Sequence, residues 1–244
     1  MLGGTIADNK ATANGGGVAM DCSFEMRGGS ITNNEAGANG GGVAVIAAYT
    51  AQWSGGSVTG NTAQNSGGGV YVDSGAKAMA VGGDVNITRN INGNVYLPNG
   101  KKITVGGALN DSASIGVTSE AVPDDSTPVT IATAADNWIN DDNFTADNSF
   151  YKVTVLDGKT ATLGLHEHQW KVRVKTGSEN ILEEYCDVAG CTVADGTLTL
   201  EAPNQEYSGA PYNAARCTIA GNWKHTPSVG EFFYTDSTGN KDRK

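Results

Sequence analysis

Along residues 1–110 the apolar positions come in short pieces of two to four residues, each bounded by glycine or asparagine. Gly15-Gly16-Gly17-Val18-Ala19-Met20, Gly40-Gly41-Gly42-Val43-Ala44-Val45 and Gly67-Gly68-Gly69-Val70-Tyr71-Val72 are three copies of one phrase. Each follows a second phrase: Gly3-Gly4-Thr5-Ile6, Gly28-Gly29-Ser30-Ile31 and Gly55-Gly56-Ser57-Val58. The second phrase leads each time to an asparagine at one offset, Asn9, Asn34 and Asn61. Val18 to Val43 is 25 residues and Val43 to Val70 is 27. A period in the twenties marks a stacked repeat. Apolar residues do not recur at helical spacing, and a leucine ladder is missing: residues 1–110 hold only Leu2, Leu97 and Leu109. Short β-branched strands at a coil-length period predict an all-β chain built as a parallel β-helix. The dominant hand of parallel crossovers makes it right-handed. Its inward row includes Ile6, Val18, Ile31, Val43, Val58, Val70 and Val95.

A glycine in a strand costs about 0.5–1 kcal/mol relative to alanine. Three in a row, repeated at one offset, imply positive φ or close approach of adjacent coils. Asn9, Asn34 and Asn61 fall at a bend after a strand. Two roles fit them there: a left-handed backbone conformation, and an amide ladder along the solenoid axis.

The repeats drift over residues 73–110, where Gly82-Gly83-Asp84-Val85 and Gly93-Asn94-Val95-Tyr96-Leu97 keep the two phrases with glycines lost. About five coils at ~4.8 Å each make a rod roughly 25 Å long. Residues 111–164 lose the glycines and stay β-like. Tyr151 to Val155 and Thr160 to Leu163 flank Asp157-Gly158, a hairpin signal. That hairpin, with the acidic and aromatic stretch Trp138 to Phe150, is the candidate cap of the last coil. The predicted division is a β-helix with its cap over 1–163, a small His/Cys-containing β module over 164–202, and a partial immunoglobulin-like sandwich segment over 203–244. Met1-Leu2-Gly3-Gly4 aligns with Met26-Arg27-Gly28-Gly29, so the chain reads as a piece of a longer protein without a signal peptide of its own.

Composition narrows the partners. The 244 residues carry a net charge of −10 with only 17% charged residues. There is no basic stripe, so nucleic acid is not an expected partner. No apolar run is long enough for a membrane span.

Gly-Gly-x-Ile-Thr-x-Asn followed by Gly-Gly-Gly-Val-x-Val resembles the pectate-lyase-like β-helix repeats of large bacterial cell-surface and adhesin-like proteins. Asn92-Gly93-Asn94-Val95-Tyr96-Leu97-Pro98-Asn99-Gly100-Lys101 and Ala113-Ser114-Ile115-Gly116-Val117-Thr118 are similar to the way those β-helices end. The segment from His166 through Cys191 is similar to a short module that follows them, and residues 200–234 to their extracellular sandwich repeats. The resemblance implies a secreted or cell-wall-associated bacterial protein. Its expected role is a non-enzymatic stalk or adhesin whose partners are glycans or host or bacterial surface components. A polysaccharide lyase or glycoside hydrolase and a carbohydrate-binding module are the alternatives.

Catalysis on polysaccharides needs clustered carboxylates, for calcium or for acid–base work, and a basic residue. Asp8, Asp21, Glu25, Glu35, Asp73 and Asp84 form no Asp-x-Asp pair and do not stack between repeats; Asp8 aligns with Asn33 and Gly60. They read as surface charge, and no catalytic residue is predicted. Tyr49, Trp53 and Tyr71 are core if they point inward and sugar-stacking residues if they point outward. Asn86-Ile87-Thr88 and Asn143-Phe144-Thr145 match the glycosylation sequon. Cys22 reads as a small buried hydrophobe, and Glu183-Glu184 as solvated surface. His166 and His168, two apart on a strand, project to one face. Cys186 and Cys191 reach one point across the turn Asp187-Val188-Ala189-Gly190. The four make a tetrahedral structural zinc complement, and a Cys186–Cys191 disulfide with exposed histidines is the alternative.

Overall fold

The computed structural model describes residues 1–46, 48–124, 127–167, 170–178, 181–187, 194–200, 217–221, 234–235 and 241–242. Every regular element among them is a strand. The chain divides into two compact units, Met1–His166 and Glu167–Lys244.

The first unit is a stack of parallel coils, and the repeat phrases set its register. Ile6, Ile31, Val58, Ile87, Ile115 and Phe144 are successive partners in one parallel sheet. Val18, Val43, Val70, Val95 and Val117 form a second row. Met26, Trp53, Val81, Val105 and Ala134 form a third. A narrow fourth sheet joins Lys10–Ala11, Glu35–Ala36 and Thr62–Ala63. The rows meet inside the coil as one apolar core. Ile31, Val43, Val58, Val70 and Val95 are completely buried. Ile6 and Val18 hold the same register in the first coil but are partly exposed, because among the described residues they have a neighbouring coil on one side only.

The asparagines build the ladder and leave the left-handed position to the residue before them. Positive φ falls on Asp8, Asn33, Gly60 and Arg89, each immediately before Asn9, Asn34, Asn61 and Asn90. That frees each amide to point along the axis. Asn9 Nδ2 donates to Asn34 Oδ1 at 2.9 Å, Asn34 Nδ2 to Asn61 Oδ1 at 2.9 Å, and Asn61 Nδ2 to Asn90 Oδ1 at 3.0 Å. Asn90 Nδ2 donates to Asn94 Oδ1 at 3.0 Å, and Asn94 Nδ2 to Asp147 Oδ1 at 2.5 Å. Each accepting side chain from Asn34 to Asp147 also takes a backbone N–H from the donor residue. Asn34 and Asn61 are buried, where an unpaired amide would cost about 1–3 kcal/mol. The ladder is therefore directional and ends on a carboxylate, which accepts all the hydrogen bonds that reach it.

The cap is the predicted hairpin. Tyr151–Leu156 and Thr160–Leu165 pair antiparallel, and the second strand adds antiparallel to Val129–Ala134 in the last coil. Asp157 and Gly158 have φ of 50° and 62°, and the Lys159 N–H donates to the Leu156 carbonyl at 2.9 Å, closing the turn within a three-residue connection. The Gly158 carbonyl accepts from the N–H groups of Trp138 and Ile139, which ties the aromatic stretch to the hairpin.

The second unit holds a four-stranded antiparallel sheet of Trp170–Val174, Ile181–Cys186, Ala194–Leu200 and Cys217–Gly221, in that order. Tyr234–Thr235 and Lys241–Asp242 form a separate pair. The four-stranded sheet draws strands from both sides of the 202/203 boundary.

Candidate functional site

Two expectations about individual residues change in the folded chain. Cys22 is an exposed free thiol in a bend between Val18–Ala19 and Phe24–Met26. Met20 is buried and takes the inward place instead. Glu183 and Glu184 are buried, not solvated. They lie on a central strand of the four-stranded sheet, where the pairing with Ala194–Leu200 slips between Glu183 and Tyr185. Glu183 Oε1 accepts from Arg173 Nε at 2.7 Å, and the same guanidinium lies 4.2 Å from the Tyr185 ring centre. Asn143, the second sequon asparagine, is fully buried, its amide donating to the carbonyls of Asn110 and Ala113. It is closed to modification in the folded chain.

His166 and Cys186 are described; His168 and Cys191 lie outside the described residues. His166 is buried at the end of the first unit, its ring stacked on Phe150 with centres 6.4 Å apart. Cys186 is buried on the second strand of the other unit. Among the described residues no group of three or more His, Cys, Asp or Glu side chains is placed to hold a metal ion.

Five acids of the solenoid are each engaged singly. Glu35 pairs with Lys10 at 2.7 Å and Glu25 with Arg27 at 2.8 Å, all four side chains being well exposed. Asp84 accepts from Ser112 Oγ, and Asp73 Oδ1 from the Gly75 N–H at 2.8 Å. Asp147 ends the asparagine ladder and also accepts from Thr118 Oγ1 at 2.7 Å.

The three aromatics separate cleanly. Trp53 is core, edge-on to Phe24 with ring centres 5.9 Å apart. Its indole N–H has no acceptor among the described residues. Tyr49 is exposed and lies just before the strand Thr50–Thr59. Tyr71 faces outward, because Val70 and Val72 on either side of it point into the core.

Tyr71 stacks on Tyr96 of the next coil, with ring centres 5.4 Å apart and planes within 11°. Sequence reading singled out Tyr71 and passed over Tyr96. The signal was present in the repeated slot Val70-Tyr71-Val72 and Val95-Tyr96-Leu97. The residues in register with the tyrosines on the other coils are small: Ala19, Ala44, which is fully buried, and Thr118. Among the described residues the two rings are therefore the only large groups in this row. Burial raises both phenol pKa values above the ordinary tyrosine value, and nearby carboxylates add to the effect, Asp73 and Glu120 at Tyr71 and Glu120 at Tyr96. Glu120 is held by the Asn99 N–H, which donates to its Oε2 at 2.8 Å. Beside it opens a cleft of about 280 Å³ lined by Pro98, Gly100, Lys101, Lys102, Ser119, Ala121, Val129 and Thr130. Lys101 is anchored there by its Nζ donating to the Ala76 carbonyl at 2.6 Å.

A raised tyrosine pKa has a defined sign in stability. The neutral phenol is favoured in the folded state, so the contribution is full below about pH 10 and is lost as pH rises through the folded value. In an alkaline ultraviolet titration, Tyr71→Phe and Tyr96→Phe should each remove a phenol that ionises above the ordinary range. Loss of an ordinary-range phenol in either variant would contradict the partly buried stack.

The fold and these sites define the class, an all-β parallel β-solenoid with an antiparallel cap. Comparison with protein-family models, curated proteins and solved structures found no match for the chain. No helix among the described residues is long and apolar enough to cross a membrane.

Proposed function

We propose that this chain is a non-enzymatic segment of a secreted or cell-wall-associated bacterial surface protein, a stalk that also binds glycans. The observation that carries the reading is the repeated register of the coils, which shifts at bulges just after Val81 and resumes beyond them. Three apolar rows and one amide ladder run from coil to coil in the first unit. Such a stack is a stiff spacer, and it presents its outward side chains at a fixed spacing of ~4.8 Å per coil. The separate engagement of five of its acids supports the non-enzymatic part. Glu25, Glu35 and Asp147 are each committed to a cation or to the ladder, whereas glycoside hydrolysis needs two carboxylates facing one bond. The sequence resemblance supports the bacterial surface setting, and the outward tyrosine pair supports glycan contact in place of catalysis.

The test is incubation with a panel of plant, mucin and host polysaccharides. The expected result is no unsaturated product and no new reducing ends at any pH at which the chain stays folded. Release of either would replace this reading with that of a lyase or hydrolase.

A further inference from the structure

We infer that the outward step formed by Tyr71 and Tyr96, together with Glu120 and the cleft beside Pro98, is a binding site for a neutral oligosaccharide. The inference rests on the glycan-binding part of the proposed function and names the place and the ligand class. Four observations converge on it.

The two rings sit on adjacent coils at the same outward position. They are held against each other by parallel stacking, so their orientation is set before any ligand arrives. Among the described residues of that row only they rise above alanine or threonine. An ordered phenol pair offers an apolar surface with a hydroxyl at its rim, which suits a pyranose ring with an apolar C–H face and polar edges.

The polar groups around the rings match sugar hydroxyls. The Glu120 carboxylate, fixed by Asn99, accepts hydrogen bonds. Lys102, Ser119 and Thr130 bring donors to the cleft. Both phenols are protonated at neutral pH, as ordinary tyrosines are, and able to donate.

The cleft is lined by residues next to those of the step in the chain. Pro98 lies two residues beyond Tyr96, and Ser119 and Ala121 flank Glu120. At about 280 Å³ it lies at the lower end of small-molecule sites, suited to one further ring of a chain whose neighbour lies on the tyrosines.

Charge selects against acidic sugars at the step. The carboxylates that act on the tyrosines are Asp73 and Glu120, and the chain as a whole is at −10. An anionic ring placed on Tyr71 would meet both; the cations of the site, Lys101 and Lys102, line the cleft and are not in the row of the tyrosines.

The experiment is titration of the folded chain with neutral oligosaccharides of glucose, xylose, galactose and N-acetylhexosamines, followed by calorimetry and by proton NMR of the sugar. Acidic oligosaccharides of matched length serve as the comparison. A neutral oligosaccharide should bind saturably, with upfield ring-current shifts on its C–H protons. Tyr71→Ala should weaken it by about tenfold, whereas Tyr71→Phe keeps the stacking face and most of the affinity. Glu120→Gln should narrow the preference for neutral over acidic ligands. Circular dichroism melting confirms that each variant is folded. Three results would overturn the site: no neutral oligosaccharide binding at millimolar concentration, unchanged affinity in folded Tyr71→Ala and Tyr96→Ala variants, or tighter binding of the acidic series. Cleavage of a ligand would overturn the non-enzymatic reading instead and would leave the tyrosine comparison intact.

Discussion

Val43→Asp should unfold the centre of the solenoid at neutral pH. Val43 is completely buried and stands between Val18 and Val70 in the valine row. Losing the valine removes about 1.5–3 kcal/mol of apolar burial. The carboxylate is the greater cost. It has no cation or hydrogen-bond donor waiting in an apolar row, and its burial there adds several kcal/mol. Together the two approach the whole stability of an ordinary domain, about 5–15 kcal/mol. Burial raises a carboxyl pKa, so the penalty should shrink below the ordinary carboxylate range and grow as pH rises through it. Thr104→Asp is the control. It lies between the buried Ile103 and Val105 and faces solvent, so its melt should stay within about 0.5 kcal/mol of the parent. A wild-type melt for Val43→Asp, followed by circular dichroism, would show that the inward row is wrong.

Gly41→Ala should be nearly as damaging, although it adds one methyl group. A β-carbon at Gly41 would run into the backbone carbonyls of Gly68 and Thr62 in the next coil. Neither is the end of a flexible side chain, so the coils themselves would have to part. Separating them strains the inter-coil hydrogen bonds, including Gly41 N–H to the Gly67 carbonyl at 3.2 Å. The cost is on the order of 3–5 kcal/mol, the upper end of overpacking effects. The first glycine of the phrase fails for a different reason. Gly40 has φ of 69° and its would-be β-carbon lies 2.6 Å from the Val43 carbonyl oxygen. Gly106→Ala is the matched control, since nothing lies within 4 Å of a β-carbon there. It should leave stability unchanged or raise it by about 0.4–1 kcal/mol. Urea midpoints on the two variants measure the difference. Equal midpoints would remove close coil approach as the reason for the glycine triple.

What was legible in the chain was whatever repeats. The interval from Val18 to Val43 to Val70 announced the coils, and the same residues appear as register partners. The hairpin at Asp157-Gly158 was legible because the turn needs two residues at positive φ. Asn9, Asn34 and Asn61 were recognisable as a set, yet Asn90, Asn94 and Asp147, the ladder's last three members, were not. Asn94 and Asp147 break the period. Asp147 reaches Asn94 only because the strand Phe144–Ala146 is laid beside Ser114–Ser119.

Residues outside the period were misread for a related reason. Cys22 sits in a bend whose direction depends on which neighbour, here Met20, points inward. Glu183 and Glu184 look solvated from residue type alone. They are buried because a slip in strand pairing and a central position in the sheet override the ordinary preference of charged side chains.

The architecture of the first unit follows from the amino-acid order alone. Stacked coils of nearly equal length need one apolar set and one glycine set per turn, and both are written at a fixed interval. Which way the aromatics face, and what stands next to them, was set only when the coils stacked. Trp53 stands between Gln52 and Ser54 and is core, whereas Tyr71 stands between Val70 and Val72 and is outward. The difference is one step of strand alternation, which inverts a side chain from core to solvent. Tyr71, Tyr96 and Glu120 become neighbours through coil stacking, which brings residues about 25 positions apart in the chain to one strand spacing of ~4.8 Å.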